Sequence, residues 1–381
     1  MVQINSKLPN VGTNIFSHIG KMANKHKAVN LSQGFPNFSL DPQLLQLVEK
    51  AIKTGHYQYA PMQGIFSLRE IISEKTENLY GKSYNPESEI TITAGATQVI
   101  FTAISAFVQQ GDEVIVLKPA YDCYEPTIEL FGGTVVPVQL NGPEFKVDWK
   151  EFESAINSDT KMVIINTPHN PSGTIWSRED MLRLQDILKG THIILLSDEV
   201  YEHIVFDGKF HQSVSKFPDL ASRSIICSSF GKTFHVTGWK IGYCVAPKVL
   251  MEEFQKVHQF NVFCINHPIQ KALATYLQTP RHYLHLSSFY QEKRDYFLEA
   301  IRESRFRLTP SSGTYFQLLD YSEITNETDT DFAERLVKEH KLASIPVSVF
   351  NLNNQDNKQL RFCFAKTNDT LDRAAEILNR I

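Results

Sequence analysis

One lysine stands where an amine can do chemistry. Lys232 lies in the stretch SIICSSFGKTFHVTGWKIGYCVAP, in a Ser/Gly turn between two apolar runs, Ile225 to Cys227 and Ile241 to Ala246. Buried strands on either side bring its ammonium close to the interior. There its pKa falls and the free amine becomes a nucleophile toward aldehydes. A lone loop lysine is ordinarily a surface residue, so the weight rests on its company. Gly95-Ala96-Thr97 opens a helix after a strand, where free N–H groups and the helix dipole suit a phosphate. Arg361 sits between apolar neighbours in LRFCFA, a position that asks for a buried anion or an internal salt bridge. Asp198 follows the apolar run HIILLS, and Asn170 lies in the turn NTPHNPSG. By themselves these two could simply cap or shape the next turn.

The elements that must position these groups alternate. Short apolar strands are expected at Glu89–Thr93, Glu113–Leu117, Thr134–Val138, Lys161–Asn166 and His192–Ser197, and on both sides of Lys232. Helical stretches separate them, so the fold class is α/β with a largely parallel central sheet covered on both faces. Ligands in such sheets bind beyond the carboxyl ends of the strands. That rule gathers Gly95-Ala96-Thr97, Tyr121, Asn170, Asp198 and Tyr201 in one crevice with Lys232. After Pro247 the pattern changes. A long helical stretch is expected from about Leu250 to Leu277 and a second from His282 to Glu303. Then come a strand at Thr314–Leu319, a helix at Thr330–Glu339, a segment at Ala343–Pro346, a strand at Leu360–Phe364 and a final helix from Thr370. This is a smaller α+β domain, and it is expected to recruit the N-terminal arm. The division expected is residues 1–45 with the small domain, 46–278 as the large domain and 279–381 as the small C-terminal domain.

Bulk composition narrows the class. The 381 residues are 42% hydrophobic and 21% charged with a net charge of −4, the profile of a globular protein without an electrostatic reason to bind nucleic acid or an anionic membrane. No apolar run is long enough to span a bilayer, and MVQINSKLPNVGTNIF lacks the hydrophobic core of a signal peptide. The five cysteines are scattered through apolar segments with no CxxC, so free thiols and a cytoplasmic location are expected. The histidines His169, His203, His211 and His235 have no zinc spacing, and no metal is expected. No GxGxxG follows the first strand of the sheet, which disfavours a dinucleotide-binding dehydrogenase.

The motifs LSQGFPNF, QYAPMQG, KPAYDCYEP, NTPHNPSG, SDEVYEH, SSFGKTFHVTGWKIGY and LRFCFAK run in order through nearly the whole chain. Together they resemble the class I (aspartate-aminotransferase superfamily) pyridoxal-phosphate enzymes. The match is to the branch acting on kynurenine, glutamine and methionine. The resemblance implies fold type I, with a seven-stranded sheet in the large domain, and pyridoxal 5′-phosphate as cofactor. It implies that Lys232 carries the cofactor as a Schiff base and moves the proton. Asp198 would pair with the pyridine nitrogen; Tyr201 and Asn170 would bond the phenolic oxygen, and Tyr121 would stack on the ring. Ala96, Thr97, Ser229 and Lys240 would hold the phosphate; many relatives carry arginine where Lys240 stands. Tyr59 would reach the phosphate of a neighbouring subunit, which makes the expected assembly a homodimer with the active site at the interface. Arg361 would clamp the substrate carboxylate, with Gly34, Asn170 and Phe16 beside it. Ile15, Phe16, Tyr59, Tyr121 and Phe350 are candidates for an apolar side-chain pocket. The implied reaction is ping-pong transamination between a neutral amino acid and a 2-oxo acid. The same residues would also serve a cysteine-S-conjugate β-lyase. A non-catalytic ligand sensor on this fold usually carries a fused DNA-binding domain, and no basic helix-turn-helix is visible here.

Overall fold

The computed structural model describes residue 2 and residues 5–381. Residues 1, 3 and 4 of the expected N-terminal arm lie outside the described residues. The chain begins with helix α1 (Ile15–His26), strand β1 (Val29–Asn30), α2 (Pro42–Lys53) and α3 (Phe66–Tyr80). The α/β part follows as β2 (Ile90–Thr93), α4 (Ala96–Phe107), β3 (Glu113–Lys118), α5 (Tyr124–Leu130), β4 (Thr134–Gln139), α6 (Trp149–Ser154), β5 (Thr160–Asn166), α7 (Arg178–Leu188), β6 (Ile194–Asp198), α8 (Pro218–Ala221), β7 (Ser224–Ser229), α9 (Phe230–Thr233) and β8 (Gly242–Val245). The last third holds α10 (Lys248–Asn261), α11 (His267–Tyr276), α12 (Arg281–Leu284), α13 (Leu286–Ala300), β9 (Phe316–Asp320), α14 (Asp329–Arg335), β10 (Leu342–Ala343), β11 (Ile345–Pro346), β12 (Gln359–Cys363) and α15 (Asn368–Leu378).

Seven strands form one sheet in the order β2-β8-β7-β6-β5-β3-β4. β4, β3, β5, β6 and β7 pair in parallel, while β8 runs antiparallel between β2 and β7. Strands β2, β6, β7 and β8 are buried along their whole length, as a sheet covered on both faces requires. β4 is half-buried at the edge, where Pro137 removes an N–H that a central strand would need. Reversal of β8 has a consequence for the site. Its first residue, Gly242, pairs with both Thr93 and Ser229. The residues entering β8 therefore stand at the same end of the sheet as those leaving the parallel strands.

A second, antiparallel sheet has the order β11-β12-β9, and β1 pairs in parallel with β10, Val29 opposite Leu342. Residues near the start of the chain are thus bonded to residues near its end.

Four expectations need correction. The helical stretch from 250 to 277 breaks between α10 and α11. Phe263 takes φ 69°, and Asn266 caps a new helix by accepting from the Ile269 N–H at 3.2 Å, with Pro268 in its first turn. The stretch from 282 to 303 divides at His285 into α12 and α13. The strand expected from Thr314 starts at Phe316, because Thr314 sits at φ 64°, outside the extended region. Lys232 itself lies in the one-turn helix α9 rather than an irregular turn. No helix among the described residues is long and apolar enough to cross a membrane.

Candidate active site

At the carboxyl end of the seven-stranded sheet, a cleft of ≈ 140 Å³ is lined by residues from α4, Tyr121, Asn166, Asn170, Asp198, Tyr201, Ser229, Lys232 and Lys240. Its first corner is the start of α4. Gly95 precedes that helix at φ 77° and provides no side-chain cap, so the N–H groups of Ala96 and Thr97 face outward unpaired by the helix. β8 passes very close. A Cβ on Gly242 would meet the Ser228 carbonyl at 2.5 Å and the Gly95 carbonyl carbon at 3.1 Å, so the approach needs glycine. Lys240, at φ 51°, turns its ammonium toward the same corner, 3.7 Å from where a Gly95 Cβ would stand. Ser229 precedes α9 without capping it through its side chain. Helix N–H groups, a hydroxyl and an ammonium around a glycine-lined recess fit a phosphate.

Asp198 forms the opposite wall. Strand β6 ends on it, and its carboxylate is 4% exposed. Oδ2 accepts from the Tyr124 hydroxyl at 2.6 Å, and Oδ1 accepts from the Val200 N–H at 3.3 Å. Burial raises the carboxyl to about 6, while the Tyr124 bond and nearby Lys232 oppose the rise. A buried carboxylate poised in this way fits a protonated ring nitrogen. Asn166 braces the wall: its Nδ2 donates to the Asp198 carbonyl at 2.9 Å, and its Oδ1 accepts from the Asn170 N–H at 2.8 Å. Tyr121 stands edge-on to Tyr124 at 5.8 Å. Tyr201 stands edge-on to Tyr315 at 5.1 Å. Burial drives both Tyr121 and Tyr201 upward, so each hydroxyl remains protonated.

Lys232 projects between these walls. Its Nζ donates to the Gly34 carbonyl at 3.3 Å and lies 5.9 Å and 5.8 Å from the Tyr201 and Tyr315 ring centroids. Desolvation lowers its pKa to about 8, with the Arg361 and Lys240 charges acting in the same direction. The Gly34 carbonyl also accepts from the Tyr315 hydroxyl at 2.6 Å. A Cβ on Gly34 would lie 2.7 Å from the Phe316 ring.

Arg361 comes from β12 and is 2% exposed. Nη1 donates to Asn170 Oδ1 at 2.7 Å, Nη2 donates to the Ser32 carbonyl at 3.1 Å, and Nε has no partner. The guanidinium packs 3.9 Å from the Phe316 ring centroid and 5.1 Å from that of Phe16. Among the described residues no carboxylate pairs with it within 4.0 Å. The internal salt bridge, one of the two sequence readings, is therefore absent, and a buried cation with an open donor fits an incoming carboxylate. Phe16 stacks on Phe350 at 5.8 Å, and Ile15 packs partly buried beside them. Asn14, which caps α1, also bonds the Asp122 carboxylate, tying that helix to the turn that carries Tyr121.

Tyr59 is not brought into this cleft. It is 82% exposed and stands edge-on to Phe263 at 5.6 Å. The histidines are engaged elsewhere. His169 bonds Ser172 and the Pro119 carbonyl, and burial lowers it to about 4. His211 bonds Glu199, and His235 bonds Tyr290. Sequence reasoning missed Tyr124, Asn166, Tyr315 and Phe316. Asn166 had a signal, as a polar residue ending the apolar strand KMVIIN; Phe316 and Tyr315 had none.

The sequence profile described as aminotransferase class I and II matches residues 26–378. The chain is 48% identical to the methionine aminotransferase of Escherichia coli over 377 residues, covering 99% of this chain and 98% of that protein. It is 34% identical to human kynurenine–oxoglutarate transaminase 3, covering 98% of this chain and 89% of that one. Among solved structures, YbdL from Escherichia coli, reported with a methionine aminotransferase function, superposes with a TM-score of 0.98 at 47% identity over 100% of both chains. Cleft and likeness agree: the chain belongs to the class I and II aminotransferase family, whose cofactor is pyridoxal 5′-phosphate.

Proposed function

We propose that this chain transfers the amino group of methionine, and of aromatic amino acids of similar bulk, to a 2-oxo acid. The observation that carries the reading is Arg361. Its Nε is buried without a partner, Phe16 and Phe316 pack against the guanidinium and Phe350 stacks on Phe16, surroundings that suit a carboxylate attached to an apolar side chain. Likeness to the methionine aminotransferase of Escherichia coli supports the same substrate class.

The residues divide the work as follows. Ala96, Thr97, Ser229 and Lys240 would hold the cofactor's phosphate. Tyr121 would cover its ring, Asp198 would keep the ring nitrogen protonated, and Asn170 and Tyr201 would donate to the phenolic oxygen. Bound pyridoxal phosphate supplies an electron sink for charge developing at the substrate Cα. Arg361 grips the α-carboxylate, with the Gly34 backbone closing one side, and so orients the Cα–H bond toward Lys232. With its pKa held near 8, the Lys232 amine is suited to act as the base that would take the substrate Cα proton and as the acid that would return it. A 2-oxo acid then runs the same steps backward on the same residues, giving ping-pong kinetics.

The working unit proposed is a homodimer. Tyr59 is exposed and packs edge-on against the exposed Phe263, which supports Tyr59 reaching a neighbour's phosphate. A cytoplasmic location is supported by five free cysteines. The division into 46–278 and a small domain made of 1–45 with 279–381 is supported by the Val29–Leu342 pairing.

Single-turnover spectroscopy of the cofactor band with methionine, phenylalanine, kynurenine, glutamine and aspartate tests the substrate reading. Methionine or phenylalanine should react fastest and yield the matching 2-oxo acid. Aspartate reacting fastest would overturn it. Pyruvate and ammonia released from a cysteine conjugate without an acceptor would show the lyase reaction instead.

A further inference from the structure

The Asp198 carboxylate is held from below by a residue that does not itself line the cleft. Tyr124, at the start of α5, is 2% exposed and donates its hydroxyl to Oδ2 at 2.6 Å. The Val200 N–H reaches the other oxygen at 3.3 Å. Six other titratable groups face this carboxylate: Lys232 from α9, Glu199 and Tyr201 from its own turn, Tyr121 and Cys123 ahead of α5, and Cys227 from β7. Glu199 works against the charged form, Lys232 favours it, and the two thiols, held protonated by burial, carry no charge. Tyr124 is thus the side chain that donates to it at hydrogen-bond distance, beside the backbone N–H of Val200. Burial, and then the Asp198 charge, push its own hydroxyl far above the ordinary tyrosine range, so it stays a donor throughout the working pH. A carboxylate that loses its hydrogen-bond donor in a buried site becomes easier to protonate. A protonated Asp198 could no longer hold a positive ring nitrogen.

We propose that Tyr124 is a positioning residue that keeps Asp198 ionised and aimed at the cofactor's ring nitrogen, and so sets how firmly that nitrogen keeps its proton. The proposal rests on the assignment of Asp198 to that nitrogen. Asn166 complements it from the backbone side by fixing the Asp198 carbonyl to the Asn170 turn.

The test uses holoenzyme loaded with pyridoxal phosphate carrying ¹⁵N in the ring, titrated by NMR between about pH 6 and pH 9 for the native protein, Tyr124→Phe and Asp198→Asn. In Tyr124→Phe the nitrogen should lose its proton at least about one pH unit lower than in the native protein. Its kcat should fall about tenfold with the KM for the amino acid unchanged. A native titration in Tyr124→Phe alongside a shifted one in Asp198→Asn would overturn the proposal and leave Tyr124 as packing. A native titration in both would overturn the Asp198 assignment, and the proposal with it. If Tyr124→Phe does not fold, 3-fluorotyrosine at the same position keeps the shape and makes the hydroxyl a stronger donor. The ring-nitrogen resonance must then move; an unmoved resonance rejects the proposal.

Discussion

Arg361 and Asn170, 191 positions apart in the chain, are joined by a 2.7 Å hydrogen bond from Nη1 to Oδ1. One residue thereby serves two neighbours: the Asn170 oxygen orients the guanidinium, and its amide N–H groups remain for the cofactor. The bond also leaves the guanidinium fork fixed before any carboxylate arrives.

Lysine at position 361 keeps the charge and loses the fork. Arg361→Lys should therefore raise the KM for methionine and lower kcat/KM about 10- to 100-fold, with little change in cofactor affinity. Steady-state kinetics at saturating oxo acid would measure it. An unchanged KM would remove Arg361 from the substrate site.

The Lys232 amine must be neutral to attack an aldehyde, and its pKa is about 8. Below that value the fraction of free amine rises about tenfold per pH unit, so the rate at which apoprotein captures pyridoxal phosphate should climb with pH and level off above about 8. Stopped-flow absorbance across the range reads this directly, and a midpoint near the ordinary lysine value would show that desolvation does not act. Lys232→Ala should bind the cofactor only reversibly.

At Gly242 the backbone of β8 touches the turn before α4. Gly242→Ala forces a Cβ against the Ser228 carbonyl and the Gly95 backbone, and the strand or the helix start must move. A cost of about 1–3 kcal/mol in stability is expected, with weaker cofactor binding. Thermal unfolding with and without added pyridoxal phosphate separates the two effects. Equal stability and equal affinity would mean that the turn yields freely.

A buried ion pair lies behind the site. Lys75 Nζ donates to Glu202 Oε1 at 2.8 Å and to the Tyr243 hydroxyl at 2.7 Å, and Tyr80 donates to Glu202 Oε2 at 2.6 Å. Burial by itself would raise the Glu202 carboxyl, but Lys75 and His203 hold it far below the usual range. Because the folded value is the lower one, this contribution is complete above the unfolded carboxylate pKa and fades as the pH drops. Lys75→Met strands the carboxylate and should cost about 3–5 kcal/mol at neutral pH, with part regained in Lys75→Met/Glu202→Gln. Urea unfolding of the three proteins checks it; no recovery in the double variant would show that packing dominates.

Strand-end chemistry was legible because it is local. The runs that became β2, β3, β5, β6 and β7 are apolar enough to announce a sheet buried on both faces, and the polar residues that follow them land in one crevice. Lys232, Asp198 and Asn170 could be picked out on that ground, and Arg361 by its place between apolar neighbours. Partners supplied across the fold could not. Tyr124 sits three residues beyond Tyr121 with nothing in its neighbours to show that its hydroxyl meets Asp198. Phe316 and Tyr315 meet Arg361 and Gly34 only through tertiary packing. The break between α10 and α11 was hidden for a different reason: apolar spacing continues through 262–266, and the Asn266 cap with Pro268 overrides it.

Strand β8 closes the large sheet by lying between the strand that opens it and the one that carries Ser229. During synthesis, β2 therefore waits with an unpaired edge until residues 242–245 have left the ribosome. The corner between Gly95 and Lys240 cannot form before then, and Arg361 arrives later still, with β12. On the proposed site assignments, cofactor capture is a late event in the life of each nascent chain. A prematurely terminated product should hold neither cofactor nor substrate, and its bare β2 edge marks it for aggregation or degradation.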